Sequence, residues 1–203
     1  MLTIYGISAS RAFRNLWLLE ELGLDYRHEP VEFRSGATES PEMLALNPNG
    51  HIPVLTDDDL VLYESMAINL YLASRYGGDG PLWPADPGQQ GLVYQWSFWV
   101  MTEVELLLLS VLMHKRVMPE AQRDPDKVSR NTGILRKPFG VLNQALEKRD
   151  WLLGDAFSLA DLNVAAVVSW ARAARMDLAD YPRLVDWVKA CMARPAFRTA
   201  SRK

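Results

Sequence analysis

One cysteine, Cys191, and three histidines, His28, His51 and His114, are all that 203 residues offer in thiol and imidazole side chains. A single cysteine excludes an internal disulfide framework and a Cys-x-x-Cys redox pair, and the histidines lack any metal-ligand spacing. Positive charge is also scarce. The 22 Lys and Arg are outnumbered by 25 Asp and Glu, and a net charge of -3 argues against nucleic acid as the main partner. Long apolar runs are missing too. The greasiest, Leu106 to Met113, is too short to span a bilayer and follows Glu103 and Glu105, so it reads as a buried helix and no membrane partner is expected. Arg11, Arg14 and Glu20 interrupt any apolar core near the N-terminus, which therefore does not read as a secretion signal. No internal repeat, Gly-x-Ser-x-Gly elbow, Walker loop or Gly-x-Gly-x-x-Gly fingerprint occurs. The remaining composition, 49% hydrophobic and 23% charged, is that of a soluble globular chain, and a reducing cytoplasm is the expected compartment.

Two kinds of patterning divide the chain. In the first part, Leu2-Thr3-Ile4-Tyr5 predicts a strand, the loop Gly6 to Ser10 follows, and a helix is expected over 11–22 with Gly23 as its C-terminal stop. A second strand is expected over 26–33, completing a βαβ unit. Val54 to Thr56 and Leu60 to Tyr63, joined by Asp57-Asp58-Asp59, predict an antiparallel hairpin. Ser65 is expected to cap a helix ending before Gly77-Gly78. The order βαβ then ββα is thioredoxin-like. A cluster of breakers from Gly77 to Pro87 marks a boundary, giving expected segments 1–77, a linker 78–87 and a helical part 88–203. Beyond it, helices are expected over 89–118 and over 126–147, the latter bent near Pro138 and Gly140. Ser158 and Asp161 form a capping box, and a last helix starts at Tyr181-Pro182. Cys191 shares an apolar helix face with Leu184 and Val188 and reads as a buried packing residue. His28 and His114 read as structural or solvated, and the His114-Lys115-Arg116 cluster as a solvated helix end.

The most informative segment is Asn47-Pro48-Asn49-Gly50-His51-Ile52-Pro53-Val54-Leu55, followed by Tyr63-Glu64-Ser65. Proline cannot donate to a ladder, so Pro53 belongs at a strand's first residue or at an edge. With a cis Ile52-Pro53 bond, the Ile52 main chain can turn outward and pair with an extended, peptide-like ligand. Glu64 and Ser65 add a carboxylate and a helix N-terminus, suited to the amine and carboxylate of an amino acid.

These motifs, with Ser158-x-x-Asp161 and the run Arg14 to Tyr26, resemble the soluble glutathione S-transferase superfamily over essentially the whole chain; the first helix looks like that of many bacterial members. The resemblance implies a thioredoxin-like α/β N-terminal domain, an all-α C-terminal domain and a homodimer. It implies glutathione as co-substrate with no metal, the Ile52 main chain pairing with the cysteinyl part, and a cis Pro53. Glu64 and Ser65 would hold the γ-glutamyl end, and His51 falls where members face the glycyl carboxylate. Members activate the thiol from the loop after the first strand. Counting without gaps, Ser10 takes that place, with Ser8 and Tyr5 as alternatives and Arg11 adding positive potential. A small apolar electrophile would sit between the two halves. Trp96, Phe98, Trp99, Met101 and Met113 read more simply as core or dimer contacts. A free thiol titrates at about 8.5, so a hydroxyl donor and a helix N-terminus that favour the thiolate supply the activation. Each pKa unit corresponds to about 1.36 kcal/mol. The implied activity is glutathione transfer, relevant to detoxification. Alternatives are a glutathione-dependent isomerase or peroxidase, or a non-catalytic binding or regulatory protein.

Overall fold

The structure is a computed structural model that describes residues 1–78 and 80–203. It comprises two compact units, one of 1–83 with 193–203 and one of 84–192. The terminal stretch 193–203 thus groups with the N-terminal unit, where the sequence reading had kept it in the helical half.

In the first unit a four-stranded sheet has the order β2-β1-β3-β4, with β1 (Leu2–Tyr5), β2 (Arg27–Glu29), β3 (Val54–Asp57) and β4 (Leu60–Tyr63). β1 runs parallel to β2 and antiparallel to β3, and β3 pairs antiparallel with β4. The inner strands carry the buried Leu2, Ile4, Val54 and Leu55, while Leu60, Val61 and Tyr63 on the edge strand β4 stay exposed. β2 stops at Glu29, well short of the expected 33, because Pro30 brings no N–H to the ladder. The hairpin ladder reaches Asp57, which pairs with Leu60, so its loop is only Asp58-Asp59, with Asp58 at φ 50°.

α1 (Phe13–Leu22) starts two residues later than expected and ends at Gly23, whose left-handed φ of 62° lets its N–H reach back to Glu20. Leu16, Trp17, Leu18 and Leu19 are fully buried. α2 (Pro41–Leu46) was not anticipated, although Ser40-Pro41 carries its signal: the Ser40 hydroxyl accepts the Met43 N–H and proline occupies the first helical position. α3 (Ser65–Tyr76) packs with α1.

The tail of the unit returns to α1. Before α9 (Pro195–Ala200), Arg194 grips Glu21 with two hydrogen bonds of 2.6 and 2.7 Å. The Phe197 ring meets Phe13 and Trp17 edge-on at 5.0 and 4.9 Å. Lys203 Nζ donates to Glu20 Oε1 at 2.7 Å and to the Tyr26 hydroxyl at 2.6 Å, while that hydroxyl donates to Glu20 at 2.6 Å.

In the second unit, 87–117 is one continuous helical run: α4 (Pro87–Trp99), a π-helical segment Val100–Glu105, α5 (Leu106–Leu112) and a second π segment Met113–Val117. By length and composition this 31-residue helix is apolar enough to cross a membrane, so the shortness of Leu106 to Met113 does not bear on that question. Val93, Val100, Val104, Leu108 and Val111 on it are buried; α5 packs against α6 (Pro125–Ala145), and both α4 and α5 pack against α7 (Leu159–Ala173). Every residue of α7 from Leu159 to Val168 is buried, eight of them apolar, and the two polar ones, Asp161 and Asn163, are hydrogen-bonded. Asn163 within that stretch donates to Ser97 Oγ at 2.9 Å, and Ser97 donates to the Val93 carbonyl. α8 (Pro182–Ala193) buries Leu184, Trp187, Val188 and the packing residue Cys191. Ser158 and Asp161 do form a capping box at the start of α7.

Asp161 has a wider role than capping. Its carboxylate accepts from Leu152 N–H (2.8 Å), Ser158 N–H (2.9 Å), Ser158 Oγ (2.7 Å) and Trp187 Nε1 (2.9 Å). Burial pushes its carboxyl above the usual range, and these four donors pull against that shift. Asp161→Ala strands several buried donors and is expected to lower the unfolding free energy by about 3 kcal/mol or more, read from the urea midpoint.

The Glu20–Tyr26–Lys203 cluster makes stability pH-dependent. Burial raises the Glu20 carboxyl, but hydrogen bonds from Lys203 and Tyr26 outweigh it and leave it below 4.5. Its contribution is present above the unfolded value and lost as pH falls through the folded one. Burial and the bond to Glu20 push the Tyr26 phenol from 10.0 up to about 12, so its contribution is lost as pH rises beyond 10. Thermal melts of wild type and Glu20→Gln should therefore differ most between about pH 5 and 9, with the gap closing on the acid side.

Candidate functional site

Three segments of the N-terminal unit carry the candidate residues, and the first two meet at Gly6. After β1, Gly6 takes φ 129°, its N–H donates to the Glu29 carbonyl at 2.9 Å, and its own carbonyl lies 2.7 Å from His28 Nε2. A Cβ at Gly6 would sit 2.7 Å from Ala12 Cβ and 3.3 Å from Ile52 Cβ. Gly6 thus sets the loop before α1 directly against Ile52.

That loop is a turn from Ile7 to Ser10. The Ile7 carbonyl accepts both the Ser10 N–H (3.0 Å) and the Ser10 hydroxyl (2.7 Å), and Ser10 Oγ accepts the Ala12 N–H at 3.1 Å. Ser10 is half-buried and is not the cap of α1, since Ala12 holds that position without a side-chain bond. Its hydroxyl has one proton, directed at Ile7. To donate elsewhere it must swing away, and the Ser10 N–H then still satisfies the Ile7 carbonyl. The Ser8 N–H donates to the Lys203 carbonyl at 3.0 Å, and the Ser8 hydroxyl has no hydrogen bond among the described residues. Tyr5 stays in the ladder opposite Val54 and Glu29, and Arg11 is half-buried beside the turn.

The second segment is organised by Asn47, which is 2% exposed. Its Nδ2 donates to the His51 carbonyl at 2.8 Å and its Oδ1 accepts the Asn49 N–H at 3.1 Å, while Gly50, at φ 62°, donates to its carbonyl. The Ile52-Pro53 bond is cis, as the resemblance implied. Ile52 precedes β3, and neither its N–H nor its C=O is bonded among the described residues. The His51 side chain is exposed.

The third segment is the start of α3. Glu64, and not Ser65, is its N-cap, held at φ 73° and ψ 111°, a region costly for any residue with a Cβ. The exposed Glu64 carboxylate has no partner among the described residues. Ser65 is the first helical residue, 4% exposed, and its hydroxyl oxygen accepts from Arg14 Nη1 at 3.0 Å. Its carbonyl accepts from Asn15 Nδ2 at 2.8 Å. Asn15 also donates to Asn69 Oδ1 at 2.7 Å, and Asn69 donates to the Arg14 carbonyl at 3.2 Å. Arg14, Asn15 and Asn69 are each at most 1% exposed. A buried guanidinium, a helix N-terminus and a hydroxyl whose proton is still available converge at Ser65, a combination that favours an anion.

Sequence reasoning missed Arg14, Asn15 and Asn69 as site residues; the signal was there in polar side chains set inside apolar helix faces. Among the described residues no group of three or more His, Cys, Asp or Glu is placed to hold a metal. Gly6→Ala is expected to destabilise the protein by about 2–3 kcal/mol, from strain at positive φ and overpacking against Ala12, measured by thermal or urea unfolding.

Residues 1–74 match the family described as glutathione S-transferase, N-terminal domain, and residues 100–195 match glutathione S-transferase, C-terminal domain. The chain is 35% identical to glutathione S-transferase 3 of Zea mays, over 97% of this chain and 91% of that protein. It is 31% identical to the disulfide-bond oxidoreductase YfcG of Escherichia coli, over 97% and 92%. Among solved structures it is similar to the theta class glutathione S-transferase of Xanthomonas axonopodis pv. citri with glutathione bound, at 28% identity and a TM-score of 0.92, covering 100% of this chain and 97% of that one. With both domain models matched in order along the chain and relatives at 30% identity or more over nearly its whole length, the chain belongs to the glutathione S-transferase family.

Proposed function

We propose that this protein is a serine-type glutathione transferase that activates the glutathione thiol for attack on a small apolar electrophile. The observation that carries the reading is the anion-receiving corner at Ser65, backed by buried Arg14 and flanked by the free Glu64 carboxylate. The γ-glutamyl carboxylate would take the Ser65 hydroxyl and N–H, and its ammonium the Glu64 carboxylate. The unbonded Ile52 main chain would pair with the cysteinyl residue, and His51 would face the glycyl carboxylate.

Glutathione so placed would bring its sulfur toward the Ile7–Ser10 turn. Ser10 would donate its hydroxyl proton to the sulfur as a hydrogen bond, with Arg11 adding positive potential. The thiol proton leaves to water, the thiolate forms a bond to the electrophilic carbon, and the leaving group departs with its electron pair. Ser10 stays uncharged throughout and forms no covalent bond.

Calorimetric titration tests the binding half: Glu64→Ala should weaken glutathione binding about tenfold or more, and wild type without measurable binding defeats the reading. Absorbance of the bound thiolate against pH tests activation. Ser10→Ala should raise the thiol pKa by about one to two units. A shift seen in Ser8→Ala instead would move the role to Ser8, whose hydroxyl has no bond to give up.

A further inference from the structure

We propose that Lys203 is a positioning residue for thiol activation: its side chain, seated between Glu20 and Tyr26, holds its carbonyl against Ser8 and so fixes the turn that carries Ser10. The inference rests on the function proposed above.

One main-chain bond ties this turn to a segment far along the chain. Residues 7–12 lie outside every helix and strand, and their main-chain hydrogen bonds run to one another or into the first turn of α1, with one exception. Among the described residues, the Ser8 N–H to the Lys203 carbonyl, at 3.0 Å, is the one bond between main-chain groups that joins 7–12 to a distant segment. Ser8 stands between the Ile7 carbonyl, which receives the Ser10 hydroxyl, and Ser10 itself. Wherever Lys203 goes, that part of the turn is drawn with it.

Lys203 is in turn held firmly. Its ammonium makes bonds of 2.7 Å to Glu20 and 2.6 Å to Tyr26 and lies 4.5 Å from the centre of the Tyr26 ring. A lone exposed lysine pair adds little, but here two acceptors and an aromatic ring share one partly buried ammonium. The other end of the tail is anchored to the same helix by Arg194 on Glu21 and by Phe197 between Phe13 and Trp17. The tail therefore spans α1, fastened at Glu20 and Glu21 and touching the loop that leads into it. Small displacements matter for a hydroxyl that must meet a sulfur, since misplacement by about 1 Å can cost on the order of a hundredfold in rate.

Lys203→Met removes the ammonium and leaves the main chain, and Lys203→Arg keeps a cation. In Lys203→Met without glutathione, amide hydrogen exchange at Ser8 is expected to quicken about tenfold. With glutathione, its thiol pKa should rise by about one unit while its dissociation constant, read at about pH 5 where glutathione binds as the thiol, changes less than about twofold, because Ile52, Glu64 and Ser65 are untouched. Lys203→Arg should restore most of both. In a Ser10→Ala background Lys203→Met should add no further shift. Unchanged Ser8 exchange overturns the proposal. So does an unchanged thiol pKa, or a shift that persists without the Ser10 hydroxyl. Wild type that binds no glutathione removes the activation role together with the reading beneath it, and Ser8 exchange then decides alone whether Lys203 holds the turn.

Discussion

The guanidinium of Arg14 is the constraint around which the N-terminal unit is arranged. A buried cation is tolerated only with close partners, and its bond to Ser65 Oγ brings the first turn of α1 to the first residue of α3. Asn15 and Asn69 reinforce the joint with bonds that cross the same two helices in both directions. Once α1 is set against α3, the turn before α1 and the strained residue before α3 are set as well. Gly6 then leaves room for Ile52 to approach that turn. The charge that is hardest to bury thus fixes the relation between the helix starts that frame the site.

Much of this was readable along the chain where its cause is local. The Asn47 loop, the hairpin and the Ser158–Asp161 box each depend on neighbours a few residues away, whereas the cis Ile52-Pro53 bond was expected only from the family resemblance. Three local readings failed for local reasons: Pro30 cut β2 short, α2 hid behind Ser40-Pro41, and Glu64 displaced Ser65 as the cap of α3. The partners that complete the site were not legible, because they are remote. Arg14 and Ser65 are 51 residues apart, and Glu20 and Lys203 are 183 apart. No periodicity in either segment announces the other. The grouping of 193–203 with the first unit is the same kind of event, decided by Arg194, Phe197 and Lys203 finding α1.

The second unit answers to a similar logic with the opposite charge. Asp161 is buried near the start of a helix that is mostly apolar and gathers donors from a loop, its own cap and α8. A residue that began as a capping partner in the sequence becomes the point where three parts of the helical unit are registered. Ser97 and Asn163 do the same on a smaller scale between α4 and α7. In both units polar groups inside the core select one arrangement from the many that apolar packing alone would accept.

Glu64 at φ 73° carries a consequence for how this chain responds to selection. Glycine would relieve the backbone there and asparagine would tolerate it better, so a screen that rewards only resistance to heat would drift away from glutamate at this position. Under the function proposed above, a screen that rewards glutathione capture would pull it back, because a side chain reaching out from that bend presents a carboxylate beside the Ser65 corner. On that proposal, position 64 is a place where consensus-style hardening and ligand capture part company, and a stabilised variant should be fixed everywhere else first.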